Sequence, residues 1–208
     1  MKLSWFRLLA AAVLFLSVPR SGQADADIGL SIRDGEVKSF YLAMGDYYRV
    51  PERTLVVVSE RRIPDDEVPV VFFLAQEARV SPDAILALRL GGKSWMDITL
   101  HYGLTARIFY VPFAADPGPP YGKAYGYYKK RPKNKWGEIR LGNSDIINLV
   151  NLKFVSGYYG HSPDEVVKMR NKGKSFVSIN SELKKGKGGS QGKAEKSSSK
   201  GKSKGKGN

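Results

Sequence analysis

The sequence predicts an all-α fold, a compact array of short helices built from two clear and one weaker internal repeat. The first observation is the repeat itself: a shift of 81 positions aligns two stretches without a gap. The second is a helix-start signal that occurs in both copies, Ser81-Pro82-Asp83 and Ser162-Pro163-Asp164. The third is that apolar positions match between the copies, for example Trp95 with Phe176 and Ile98 with Ile179. We expect each unit to bury its apolar face against the next.

The first and weaker unit covers about residues 36–63. Tyr47 to Glu52 resembles Tyr158 to Asp164 with one residue deleted. The run Leu55 to Val58 is rich in β-branched residues, and propensity alone would favour a strand. Because this run occupies the position of the second helix in the other units, we predict a helix here.

The second unit, about 64–104, opens on an acidic cluster, Asp65-Asp66-Glu67. Pro69 fits a helix only in its first turn, so the helix must begin near Asp66. Val70 to Leu74 are all apolar, which predicts the central and most buried helix of the array.

Start and stop signals place the remaining helices. In the second unit Ser81 caps one helix, Gly91-Gly92 stops it, and Ser94 caps the next. In the third unit, about 143–183, Ser162, Gly173 and Ser175 occupy the corresponding positions.

An insert, residues 105–142, separates the second and third units. Its apolar start, Arg107 to Phe113, is expected to pack on the core. Glycines and prolines from Asp116 onwards predict irregular structure. Aromatic and basic residues then alternate, a pattern that suits stacking on rings and pairing with phosphate or carboxylate groups. The candidate polyanion-binding residues are Tyr121, Lys123, Tyr125, Tyr127, Tyr128, Lys129, Lys130, Arg131, Lys133, Lys135 and Trp136. In the alternative interpretation, the tyrosines fold back on the core and only the lysines face water.

Both ends of the chain are predicted to lie outside the helical domain of residues 27–183. Residues 1–26 have the charged start, apolar run and small-residue cleavage site (after Ala24 or Ala26) of a secretory signal peptide. Residues 184–208 contain nine lysines and one glutamate, and no apolar residue larger than alanine, which predicts a disordered tail. The protein is therefore expected to be exported and, after cleavage of the signal peptide, to be periplasmic or extracellular.

Catalytic chemistry is not predicted from this sequence. The chain has no cysteine and two histidines, His101 and His161, and neither has a second histidine at metal-ligand spacing. We assign no catalytic, cofactor-binding or metal-binding residue.

The expected function is that of an exported, non-catalytic binding protein of the cell envelope, associated peripherally rather than integrally with the membrane. Its partner would be a polyanion, either an acidic glycan, an anionic lipid or extracellular nucleic acid, bound by the basic tail and the aromatic-basic insert. The alternative is a protein–protein interaction scaffold that uses the helical array.

Overall fold

The computed structural model describes residues 35–61 and 63–186, and within these ranges all regular structure is helical. The predicted all-α, compact helical array is confirmed. The signal peptide predicted for residues 1–26 and all but three residues of the predicted tail lie outside the described residues. The α-helices are α1 (Gly35–Tyr48), α2 (Glu52–Ser59), α3 (Val68–Ala78), α4 (Pro82–Leu90), α5 (Trp95–His101), α6 (Gly122–Lys129), α7 (Asn143–Tyr159), α8 (Pro163–Arg170) and α9 (176–186). Two 3₁₀ segments, Ala106–Phe109 and Lys133–Glu138, lie on either side of α6.

Helix α3 lies at the centre of the core. Its first eight residues, from Val68 to Ala75, are all buried, and the helix packs against α1, α4 and the 17-residue α7. Aromatic rings fill the space between these helices: the Tyr48 ring lies 6.1 Å from Phe72 and 5.8 Å from Phe154. The prediction that this would be the most buried helix is confirmed, since it is apolar on every side.

The β-branched run of the first unit forms helix α2, as predicted. Leu55 and Val58 are buried, and the close packing of Leu55 on α1 leaves no room for a side chain at Gly45, where a Cβ would lie 2.8 Å from Leu55 Cδ1. Packing of this apolar stripe outweighs the modest preference of valine for strands. Pro69 lies in the first turn of α3, also as predicted.

The same helix ending occurs five times in the described residues, at Arg49, Arg79, Gly92, Gly103 and Gly160. Arg49, Arg79 and Gly160 adopt left-handed backbone conformations with φ of 55°, 56° and 71°. The amide of the next residue then bonds to a carbonyl five positions back: Val50 to Gly45 at 2.8 Å, Val80 to Ala75 at 3.0 Å and His161 to Ser156 at 3.1 Å. This is the Schellman arrangement that satisfies the last carbonyls of a helix. Arg79 and Gly160 are 81 positions apart, so a local structure recurs at the spacing of the predicted repeat.

A second local structure recurs at that spacing, around Arg89 in α4 and Arg170 in α8. Arg89 Nη1 donates to the Lys93 carbonyl and Arg170 Nη1 donates to the Lys174 carbonyl. The Arg89 guanidinium carbon lies 4.8 Å from the ring centroid of Trp95, and the Arg170 guanidinium carbon lies 4.6 Å from that of Phe176. Each arginine thus joins the end of one helix to the aromatic residue that opens the next.

The left-handed positions give a stability prediction. Replacing Gly160 with alanine should lower the free energy of unfolding by about 1 kcal/mol, because a Cβ is disfavoured at positive φ. Replacing Arg79 with glycine should have the opposite sign, with a gain smaller than about 1 kcal/mol because glycine also frees the unfolded chain. Urea denaturation followed by circular dichroism measures both. A loss of stability in both variants would contradict the assignment of left-handed conformations.

The insert and the tail boundary differ from the sequence predictions. The insert is not irregular throughout: α6 forms despite Gly122 and Gly126, because Tyr121, Ala124 and Tyr128 bury one side of it. Tertiary packing here overrides weak helix propensity. The tail prediction is wrong for residues 184–186, which continue α9 beyond the buried Leu183.

The first and last helices of the described body meet. Asn180 of α9 is fully buried, its Nδ2 donates to Ser39 Oγ at 3.3 Å, and its Oδ1 accepts from the Tyr159 hydroxyl at 2.8 Å. A cleft beside this contact is lined by Gly35, Glu36, Ser39, Ser181, Lys184 and Lys185. Residues from both ends of the described body therefore lie at one place on its surface.

Candidate functional site

An aromatic cluster fixes the insert to the helical core. The Tyr128 hydroxyl donates to the Ala106 carbonyl at 2.6 Å, and its ring lies 5.4 Å from Tyr110 and 5.2 Å from Trp136. The Trp136 indole donates to the carbonyls of Tyr128 and Arg131, both at 3.1 Å. These hydrogen bonds join the 3₁₀ segment at 106–109, α6 and the second 3₁₀ segment into one unit.

The eleven candidate residues divide by their exposure. Tyr121 and Tyr128 are buried, Tyr125, Tyr127 and Trp136 are half-buried, and all six cations are exposed. Tyr121 and Tyr128, at 1% and 4% exposure, belong to the core and offer no ring face to a ligand. The prediction that these two residues line a contact surface is wrong, because they lie on the inner side of α6 together with Ala124.

Burial also changes the acid–base properties of these tyrosines. Desolvation raises the pKa of Tyr121 to about 12, against a smaller opposite effect of Arg170. Desolvation raises the pKa of Tyr128 well above its usual value. Both phenols therefore stay neutral at physiological pH and act as core side chains with a hydroxyl group.

The exposed cations form what we call the insert cation surface: Lys123, Lys129, Lys130, Arg131, Lys133 and Lys135. Two of them lie near tyrosine rings on α6: Lys129 Nζ is 5.4 Å from the Tyr125 ring centroid, and the Arg131 guanidinium carbon is 5.8 Å from that of Tyr127. The surface thus combines positive charge with two partly exposed rings, of which Tyr125 also contacts Phe113.

Most of this positive charge is not neutralised locally. Within the described part of the chain, Lys135 is the one member of the surface with an acidic partner, Glu138 at 2.9 Å. That hydrogen bond raises the pKa of Lys135. Residues 123–140 contain seven basic residues and one acidic residue, a net charge of +6. Concentrated, exposed charge of one sign attracts polyanions and raises their local concentration.

Sequence reasoning missed a second feature, a cleft of about 340 Å³ between α1, α3, α7 and the chain after the first 3₁₀ segment. We call it the Lys153 cleft. Its lining residues are Tyr47, Tyr48, Phe73, Tyr110, Val111, Pro112, Lys153, Ser156 and Pro163. They span more than a hundred positions of sequence and are mostly of core types, so no local pattern marks them. The one available signal is Lys153 itself, a lysine between Leu152 and Phe154 in a mainly apolar helix segment.

Other chemistry is sparse in residues 35–61 and 63–186. No group of three or more His, Asp or Glu side chains there is arranged to hold a metal ion. His161 Nδ1 lies 3.5 Å from Glu165 Oε2 at the start of α8, and His101 packs its ring edge-to-face on Tyr102. No helix in these ranges is long and apolar enough to cross a bilayer. No protein-family model, curated protein or solved structure matches the chain.

Proposed function

We propose that the protein is a non-catalytic binding protein of the cell envelope, exported by the segment 1–26, which holds acidic polymers on the insert cation surface. The observation that carries the proposal is the arrangement of the insert: six exposed cations on a segment whose aromatic residues fix it to the core. A fixed array of charges binds a polyanion with less loss of conformational entropy than the same charges on a flexible chain.

The tail lysines support the same function by long-range attraction. Seven lysines and one glutamate follow residue 186. We expect them to raise the rate of encounter with a polyanion, while the insert cation surface supplies the place where it is held. The two contributions differ in where the charge is located, which makes them separable by experiment.

The test compares three full-length variants with the unmodified chain. In the insert variant Lys123, Lys129, Lys130, Arg131 and Lys133 are changed to glutamine. In the matched control five exposed cations elsewhere are changed to glutamine, namely Arg53, Arg61, Lys93, Lys168 and Lys172. In the tail variant the seven lysines after residue 186 become glutamine. Binding to a fluorescent single-stranded DNA oligomer and to heparin is measured from about 50 to 400 mM salt.

The unmodified chain should bind with an affinity that falls steeply with salt, because binding releases counterions. For single-stranded DNA, the plot of log K against log salt should become less steep in the insert variant, by up to about 3.5 in slope. The slope of the control variant should change much less. If the insert and control variants lose equally, only net charge matters and the surface is not a site. If the unmodified chain binds neither polymer, the proposal fails.

The partly exposed rings distinguish between the two kinds of polymer. Changing Tyr125 and Tyr127 to leucine keeps apolar packing and removes the faces on which bases stack. Stacking contributes about 1–3 kcal/mol per base. A nucleic-acid binder should therefore lose affinity for DNA and keep its affinity for heparin, whereas a glycan binder should respond equally little to both.

The alternative function, a protein–protein scaffold, is favoured by a groove of about 330 Å³ between α2, α3 and α4. Its lining is mainly apolar, with Val50, Phe72 and Val80 beside Arg49 and Gln76. A partner that packs there would bind with little salt dependence, since apolar burial releases no counterions. The salt dependence of binding to a protein partner, compared with that for single-stranded DNA and heparin, therefore separates the two functions.

A further inference from the structure

The Lys153 cleft has the size of a small-molecule site. Its volume of about 340 Å³ accommodates a ligand of roughly ten non-hydrogen atoms, at the lower end of the range for such sites. The cleft lies where α1, α3 and α7, the helices of the central core, come together. Its walls are therefore set by well-packed helices and by Tyr110, Val111 and Pro112 of the insert, and none of the six residues of the insert cation surface lines it.

Lys153 brings a positive charge into this apolar setting. Its Nζ donates one hydrogen bond, to the Ile108 carbonyl at 2.8 Å, and lies 5.7 Å from the Phe73 ring centroid. Within the described residues no carboxylate lies within ion-pair distance of this nitrogen, and two of its three N–H groups have no partner. Burial lowers the pKa of Lys153, which the more distant Glu77 partly offsets. A partly desolvated ammonium group with spare donors favours an anion.

Two hydroxyl groups in the lining residues also have no partner. Tyr48 is 3% exposed and Ser156 is 8% exposed, and neither hydroxyl has a hydrogen-bond partner in the structure. Buried polar groups without partners are rare in folded proteins. Both hydroxyl oxygens are buried, so Lys153 remains the donor available to a ligand.

The rest of the lining is apolar and aromatic: Phe73, Tyr110, Val111, Pro112 and Pro163. Tyr47 closes one side by lying directly on α7, where a Cβ at Gly157 would meet its hydroxyl oxygen at 2.8 Å. Such walls suit an apolar ligand body and disfavour a sugar or a bare inorganic anion.

From this combination we propose that the Lys153 cleft binds a small organic acid, a carboxylate on an aromatic or aliphatic body of fewer than about ten carbon atoms. The carboxylate pairs with Lys153 Nζ, and the body lies against Phe73 and Tyr110. This site is separate from the insert cation surface and takes a different class of ligand.

The test uses the full-length chain, phenylacetate and its neutral analogue phenylacetamide. Backbone amide shifts in nuclear magnetic resonance spectra report binding at Tyr48, Val111 and Ser156. We expect phenylacetate to bind with a Kd of about 1 mM or tighter and the amide at least tenfold more weakly. Lys153→Met should weaken phenylacetate binding at least tenfold, whereas the matched control Lys168→Met on the exposed side of α8 should not.

A second measurement keeps the proposal testable if Lys153→Met does not fold. The Lys153 pKa, followed through its side-chain nitrogen resonance, should rise when phenylacetate is added, because a bound anion favours the charged amine. Equal binding of acid and amide, unchanged resonances at high phenylacetate, or a Lys153 pKa that does not move would each overturn the proposal. The insert variant should bind phenylacetate normally, so failure here is distinguishable from failure of polyanion binding.

Discussion

Arg89→Met is expected to lower the free energy of unfolding by about 3–5 kcal/mol at neutral pH. Arg89 donates from Nε and Nη2 to the two carboxylate oxygens of Glu67, at 2.8 and 2.9 Å. The two side chains are only 19% and 11% exposed. Removing the guanidinium leaves the Glu67 carboxylate buried without its partner, and that uncompensated charge is the main cost.

Two controls separate charge from packing. Glu67→Gln combined with Arg89→Met should be less destabilising than Arg89→Met alone, because no buried charge remains. Arg170→Met is the matched variant at the corresponding position of α8, where the acceptor is the neutral Asn148 at 3.4 Å. Arg170→Met should lower the free energy of unfolding by less than about 3 kcal/mol. Urea denaturation measures all three, and equal losses for Arg89→Met and Arg170→Met would show that the Glu67 charge is not the cause.

Trp95→Ala is the second change with a large expected effect, a loss of about 3–5 kcal/mol. Trp95 is fully buried at the start of α5 and is among the largest side chains of the core. The cavity left by its ring would border Arg89, whose guanidinium carbon lies 4.8 Å from the ring centroid. The Arg89 guanidinium should therefore also be held less firmly in Trp95→Ala.

Trp95→Phe should cost less than about 2 kcal/mol. The smaller ring leaves a smaller cavity, and the change removes the Trp95 Nε1 donor, which is buried without a partner. Phenylalanine already occupies the corresponding place at Phe176. Leu90→Ala, at a position that is 54% exposed, serves as the control and should change stability by less than about 0.5 kcal/mol. A Trp95→Phe variant as unstable as Trp95→Ala would contradict this explanation.

The helix starts and ends were predictable because their causes are local. The Ser81 and Ser162 hydroxyls each accept a hydrogen bond from the backbone amide three residues on, both at 3.3 Å, and each precedes a proline. These contacts depend on four adjacent residues and are readable from sequence. Helix α2 needed the comparison between units, since its valines alone favour a strand.

The insert could not be predicted in the same way, because its structure depends on distant contacts. Helix α6 holds its place through the hydrogen bond from Tyr128 to Ala106, 22 positions earlier. The exposure of the cations could be predicted from their charge. Which tyrosines are buried and which are partly exposed could not be predicted in this way. Tyr121, Ala124 and Tyr128 lie at helical spacing, a signal that the glycines of this segment obscured.

The Lys153 cleft shows the limit of reading residues one at a time. Tyr47, Phe73 and Lys153 come from three helices, and only the packing of α1, α3 and α7 brings them together. Tyr47 and Phe73 taken alone are ordinary helix residues. The lysine in an apolar stretch is an unusual local feature, and its meaning depends on the tertiary neighbours.

The meeting of α1 and α9 has a mechanical consequence. Because both ends of the described body lie at one cleft, tension applied between them would load the Ser39–Asn180 contact first. A protein tethered at one end and pulled at the other would therefore be strained first where α1 meets α9, and the insert cation surface lies in the interior of the chain, between α5 and α7.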